Sequence, residues 1–181
     1  MMYKLPQQIV INNEILLEKI NDGHSEAIFT QIDRHRDYLS QFVHWTRFTH
    51  KLEDSQNFVK LCEKEAESGE SFVWAICWQG KAVGTISFNK PIDWENRTAH
   101  IGYWLSPEMQ GQGIVTQAVN AIINATQDQF THYILRCATH NSRSNAVAQR
   151  CGFVFVEVQE NAEKIGDNLY SLNVYRRSSL I

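Results

Sequence analysis

One stretch limits the choice of fold more than any other. HIGYWL, His100–Leu105, reads as a strand, and MQGQG, Met109–Gly113, follows it as a turn with two glycines two residues apart. The run from Gly113 then repeats apolar residues at helical spacing, at Val115, Ala118, Val119, Ile122 and Ala125/Thr126. Strand, glycine turn and helix in that order aim the helix's unbonded N–H groups at an anion, a phosphate above all. Neither common phosphate fingerprint fits. No Gly-Lys-Ser/Thr follows the glycines, which excludes a nucleoside-triphosphate loop, and the third glycine of a dinucleotide loop is replaced by Thr116. On the bare pattern a dinucleotide still competes as ligand, and a tight turn that binds nothing is the simplest alternative.

The surrounding chain alternates hairpin signals with helix signals. Ile15–Ile20 is expected as a strand, followed by a helix capped by Asn21 or Asp22 and running to about Ile32. Arg34 to His50 is irregular and rich in aromatic and basic groups, and Glu53 to Glu67 forms a second helix stopped by Gly69. Ser71–Trp78 and Lys81–Asn89 flank the turn Gln79-Gly80, and Thr98–Leu105 is their antiparallel neighbour. The helix Gly113–Gln129, the strand Tyr133–Thr139 and a short helix Ser142–Arg150 come next; Asn141 caps that last helix and Gly152 stops it. Phe153–Val158 and Leu169–Tyr175 complete the strands. Hairpins first and βαβ-like units later imply an α+β fold, a single mixed, mostly antiparallel central sheet flanked by helices. No linker-like stretch divides the 181 residues, so one domain over 1–181 is expected.

Composition excludes several functions. A net charge of −3 gives no basic surface for nucleic acid. No run reaches the ~20 apolar residues of a membrane helix, and MMYKLPQQIV lacks the apolar core and cleavage site of a signal peptide. Cys62, Cys77, Cys137 and Cys151 form no C-x-x-C pair and have no histidine at zinc-finger spacing; they read as buried free thiols of a cytoplasmic protein. His35, His44 and His50 make no H-E-x-x-H pattern, so no metal is expected.

IGYWLSPEMQGQGIVTQA, CATHNSRSNAVAQRCGF and NAEKIGDNLYSLNVY together resemble the GNAT superfamily of N-acetyltransferases, within it the branch that acetylates the N-terminus of ribosomal proteins. The likeness covers most of the chain and is weakest before Leu52. The superfamily's phosphate loop reads Gln/Arg-x-x-Gly-x-Gly/Ala; Gln110 and Gly113 fit, and Val115 departs from the last position. The resemblance implies acetyl-CoA as the phosphate ligand, with Leu105, Gln110, Gly111, Gln112, Gly113, Ile114, Val115 and Asn141 around it. It implies an amine acceptor, a ribosomal protein N-terminus foremost. A small amine such as spermidine or an aminoglycoside, and a cofactor sensor without turnover, are the alternatives. The branch often forms homodimers, for which an edge strand is a pairing surface.

Acetyl transfer to an amine requires a neutral nucleophile, a stabilised oxyanion and a thiolate that can leave. By resemblance, Ser144 in Asn141-x-x-Ser144 lies near the sulfur and acts as general acid or proton relay; on spacing alone, Asn141 to Ser144 reads equally as a helix cap. By the same resemblance Glu163 takes the amine proton, and its plain alternative is a solvated loop carboxylate. The resemblance implies that the Ile101–Leu105 strand splays from its neighbour Tyr133–Thr139, that the thioester enters the gap, and that a backbone N–H of Ile101–Leu105 meets the acetyl carbonyl; Gly102 would ease the approach, or equally marks a simple bulge. Trp45, Phe48 and Tyr103 are the candidate acceptor contacts, the first two from an aromatic segment that a local hydrophobic cluster would explain as well.

Overall fold

The sheet is built outward from a strand that is apolar on both faces. The computed structural model describes residues 4–179; Met1–Tyr3, part of the stretch read above for a signal peptide, and the last two positions lie outside them. The eight described strands are β1 (Gln8–Val10), β2 (Ile15–Lys19), β3 (Phe72–Trp78), β4 (Lys81–Phe88), β5 (Thr98–Leu105), β6 (His132–Ala138), β7 (Val154–Ile165) and β8 (Asn168–Ser178). They form one sheet in the order β1-β2-β3-β4-β5-β6-β8-β7. FVWAICW in β3 is buried almost throughout, as a strand covered on both faces must be. Phe72, Trp74 and Ile76 face one core and Val73, Ala75 and Cys77 the other.

Helices cover the two faces. α1 (Ser25–Arg34) and α3 (Leu52–Ser68) bury Ile28, Ile32, Val59 and Cys62 against the second core. α4 (Ile114–Thr126) and α5 (Ser142–Arg150) cover the first, where Ile114, Ala118, Ile122 and Ala148 meet Ala99, Ile101 and Leu135. The strands β3, β4 and β5 are antiparallel neighbours as expected, joined at β3–β4 by Gln79-Gly80 with both φ positive.

The structure departs from the sequence expectation in several places: besides those that follow, β8 runs on to Ser178, and a 3-10 turn over Asp22–His24 precedes α1. A three-residue strand, β1, precedes β2. The irregular segment holds a short helix, α2 (Arg36–Leu39), and a tight helical turn over His44–Phe48. α4 ends at Thr126, three residues before Gln129. β7 continues through Ile165, so Glu163 stands on a strand near a hairpin tip and not in a loop. β7 carries mostly exposed side chains, and the expected end at Val158 followed from the loss of apolar alternation beyond it.

β5 and β6 are the sheet's parallel pair, and they pair only from Thr98↔His132 to Ile101↔Leu135. Beyond that they part, although β5 continues to Leu105 and β6 to Ala138. Side chains take over at the strand ends. Gln110 Nε2 donates to Leu105 O at 3.3 Å, and Asn145 Nδ2 donates to Ala138 O at 3.0 Å.

Candidate active site

The glycine turn sits at the mouth of the parted strands. Gly111 and Gly113 have φ of 79° and 73°, a region in which a side chain would be strained. The first helical bond after the turn runs from Gln117 N to Gly113 O, 3.0 Å, so the N–H groups of Ile114, Val115 and Thr116 precede the ladder. Those groups and the helix dipole suit an anion. Gln110 contributes differently. Its amide spans Leu105 O and the Tyr38 hydroxyl, which donates to Oε1 at 3.0 Å, so its side chain ties the turn to β5 and α2.

In the parted half of β5 the backbone has two directions. Ser106 N donates to Val83 O and His100 O accepts from Asn89 N, both on the β4 side. Alternation therefore turns the N–H groups of Tyr103 and Leu105 toward the gap. Gly102 faces the other core, where an added Cβ would meet the Asn89 side chain at 2.7 Å.

Ser144 lies across the gap on α5. Asn141 Oδ1 accepts from Ser144 N at 3.2 Å, the helix cap that the residue spacing allows, worth about 1 kcal/mol. Ser144 Oγ contacts the Tyr103 hydroxyl at 2.7 Å and Cys137 Sγ at 3.2 Å. Behind it Asn145 uses all of its side-chain capacity. Nδ2 donates to Ala138 O and Asn141 O, and Oδ1 accepts from Asn173 Nδ2 at 2.9 Å and the Tyr175 hydroxyl at 2.7 Å. Nothing in the sequence separates this asparagine from one on a helix surface; only its burial by β6 and β8 does.

A cavity of about 830 Å³ runs along the α3 side of the sheet and reaches both Ser144 and Glu163. Trp45, Phe58, Trp104, His100 and Arg136 are among its walls. Trp45 lies on Phe58 with centroids 4.7 Å apart and meets Trp104 edge-on at 6.3 Å. Phe48 stays outside: it is 65 % exposed and packs on His44. Burial pushes the Glu163 carboxyl above its ordinary range, and Arg136, His140 and His44 pull it partly back. Arg47 ties the segment before α3 to the β7–β8 hairpin: Nε donates to Ser40 O at 3.3 Å, and the guanidinium lies over Gly166, where a Cβ would collide with it. Sequence reasoning did not find Arg136, Phe58 or Trp104 as site residues, because each becomes part of the cavity only by tertiary packing.

Among the described residues one group offers three potential metal-ligating atoms within 4.8 Å of one another: Glu18, His24 and Cys77. His24 Nδ1 accepts from Asn21 N at 3.1 Å, which leaves the ring proton on Nε2, 3.1 Å from Glu18. In that tautomer the imidazole has no free lone pair for a metal. No helix among the described residues is long and apolar enough to cross a membrane.

A parallel pair parts beside a glycine turn, with Asn141-x-x-Ser144 at the start of α5 facing the gap. The chain belongs to the acetyltransferase (GNAT) domain family, whose model matches residues 14–154. It is similar to the ribosomal-protein-serine acetyltransferase of Escherichia coli (strain K12), 30 % identical over 96 % of this chain and 97 % of that protein. Among solved structures it is similar to the microcin C7 self-immunity acetyltransferase MccE in complex with acetyl-CoA and AMP (31 % identity, TM-score 0.92, 96 % and 97 % of the two chains). It is also similar to RimL, the ribosomal L7/L12 α-N-protein acetyltransferase, in a complex with coenzyme A disulfide-linked to a cysteine (26 % identity, TM-score 0.90, 94 % and 97 % covered).

Proposed function

We propose that the chain moves the acetyl group of acetyl-CoA to the α-amine of a protein N-terminus, a serine on a ribosomal protein foremost, in a ternary complex in the cytoplasm. The observation that carries this reading is that one continuous cavity reaches both a half-buried carboxylate, Glu163, and the hydroxyl of Ser144, which donates a hydrogen bond to Cys137 Sγ. The turn at Gln110–Val115 would hold the pyrophosphate, Gly111 and Gly113 letting backbone come close and Ile114 and Val115 offering N–H groups. Leu105, Gln112 and Asn141 would border the same ligand. The thioester would enter between β5 and β6, its carbonyl meeting N–H groups of Tyr103 or Leu105. Cys137 Sγ lies against Ser144 Oγ in this chain, so the hydroxyl already faces a sulfur beside the gap that the thioester would enter.

Glu163 takes the amine proton, directly or through water. An α-amine with a pKa of about 7.7–8.0 makes a modest demand on such a base, and a lysine at about 10.4 a far larger one. A raised carboxyl is better matched to that proton than an ordinary one. Trp45 flanks the incoming peptide, while Phe48, being outside the cavity, does not. Val154, Phe155, Val156 and Val158 of edge strand β7 are all exposed, and that strand is where a homodimer would pair.

A second reading, an amine joined to a nucleotide, is favoured by one observation: the Trp45–Phe58 stack in the cavity wall offers an aromatic face to a base, and MccE is described with AMP. A thiol-release assay with acetyl-CoA separates the readings, comparing a serine-initial L7/L12 peptide, a lysine-only peptide, spermidine and an aminoacyl nucleotide analogue. Acetylation at the serine α-amine, located by mass spectrometry, is expected. Turnover of only the nucleotide analogue or spermidine would keep the cofactor and discard the acceptor, and binding of acetyl-CoA without turnover of any amine would make the chain a sensor.

A further inference from the structure

Ser144 Oγ carries one proton and has two lone pairs to accept with. Its two side-chain partners are the Tyr103 hydroxyl at 2.7 Å and Cys137 Sγ at 3.2 Å. The Tyr103 hydroxyl also approaches Ser144 O, at 3.4 Å, and its single proton favours the shorter contact. With the phenol donating, the serine's own proton has Cys137 Sγ as its remaining partner among the described residues. We propose that Tyr103 is a positioning residue for the leaving group: by donating to Ser144 Oγ it commits the serine proton to the side where Cys137 Sγ lies, from which the proton would be passed to the thioester sulfur once that sulfur enters the gap. This rests on the role proposed for Ser144.

The step balances. The amine nitrogen bonds to the acetyl carbon, the C–S bond breaks with its electron pair going to sulfur, and the Ser144 proton moves to that sulfur. The amine's proton goes to Glu163. When the products leave, Glu163 gives a proton to water and Ser144 takes one back. Tyr103 keeps its own proton. Burial pushes the phenol well above its ordinary range, against a smaller opposite pull from Ser144. The ring packs against the core formed by α4 and β6, so the hydroxyl is held without a flexible stem. Sequence placed Tyr103 among the acceptor contacts; it lines the cavity with Trp45, and its hydroxyl meets Ser144.

A double-mutant cycle tests the inference, with kcat and the KM values for acetyl-CoA and the serine peptide measured for Ser144→Ala, Tyr103→Phe and the pair. Ser144→Ala is expected to lower kcat by about a hundredfold. Tyr103→Phe is expected to lower kcat by about fivefold to tenfold with both KM values unmoved, and the pair to be no slower than Ser144→Ala alone. Multiplying effects would overturn the inference, since Tyr103 would then act without Ser144. Parental kcat in Tyr103→Phe would overturn it as well. Parental kcat in Ser144→Ala would remove the underlying reading of Ser144, a result distinct from the other two. If Tyr103→Phe lowers Tm, a fluorinated tyrosine at 103 retains ring and hydroxyl. Its kcat should shift with phenol acidity in the parent and not in Ser144→Ala, and a shift in both would contradict the positioning role.

Discussion

The two halves of β5 have opposite surroundings. From Thr98 to Ile101 the strand is paired to β6, while on its other edge Thr98 bridges Asp93, His100 O accepts from Asn89 N and Ile101 pairs with Phe88 of β4; Ala99 and Ile101 are buried in the core. From Gly102 to Leu105 it is paired to β4 alone, and its other edge opens toward Ser144. The difference teaches how one sheet serves two purposes. Continuous pairing and apolar cover on both faces hold β2 to β5 together. The parted end leaves backbone donors and a hydroxyl pair without strand partners, which a closed sheet could not offer to a ligand. Stability should therefore reside in the closed half and activity in the open one.

The largest effect expected is in the closed half. Trp74 is fully buried and its indole N–H donates to Pro6 O at 2.8 Å. Trp74→Ala should cost about 3–5 kcal/mol in urea unfolding, and a loss well below that range would mean that the closed half does not carry the fold. Glu163→Gln makes the opposite case in the open half, where kcat should fall about a hundredfold or more. Because burial raises the folded pKa of Glu163 above its unfolded value, the carboxylate at pH 7 weighs against the folded state. Its removal should leave Tm at pH 7 unchanged or higher, and a lower Tm would blur the division of labour.

Asn145 sits on the boundary and should show both effects. Asn145→Ala frees Ala138 O and the Tyr175 hydroxyl, costing about 1–3 kcal/mol, and should raise the KM for acetyl-CoA by loosening the end of β6. A stability loss with an unchanged KM would detach the parted strands from cofactor binding. The smallest effect concerns pH. Arg136 holds the Glu163 pKa down, so Arg136→Gln should raise it and move the acid limb of kcat/KM to higher pH. An unmoved limb would mean that another group is the base.

Much of the closed half was legible in the sequence, because apolar periodicity and turn residues are local. β3, β4, their Gln79-Gly80 turn and α4 lie within a few residues of their expected bounds. The glycine turn and the Asn141 cap were legible for the same reason: each is a backbone requirement written in neighbouring residues. The open half was harder. Glu163 looked like a loop carboxylate because β7 is exposed almost throughout and lacks alternation. The parting of β5 from β6 was implied by the family resemblance and by no residue pattern, since it goes with Gln110 and Asn145 reaching carbonyls that sit on other elements. Phe48 and Trp45 are three residues apart in one aromatic run, and only packing against Phe58 and Trp104 selects Trp45 for the cavity.

The central claim is that the thioester of acetyl-CoA occupies the gap beyond Ile101. Residue-resolved amide hydrogen exchange by NMR, with and without acetyl-CoA, tests it most directly. The N–H groups of Tyr103 and Leu105 should gain strong protection in the complex, while those of Gly102 and Trp104, directed at β4, change little. Protection that leaves Tyr103 and Leu105 untouched would contradict the account, even if the glycine turn were protected.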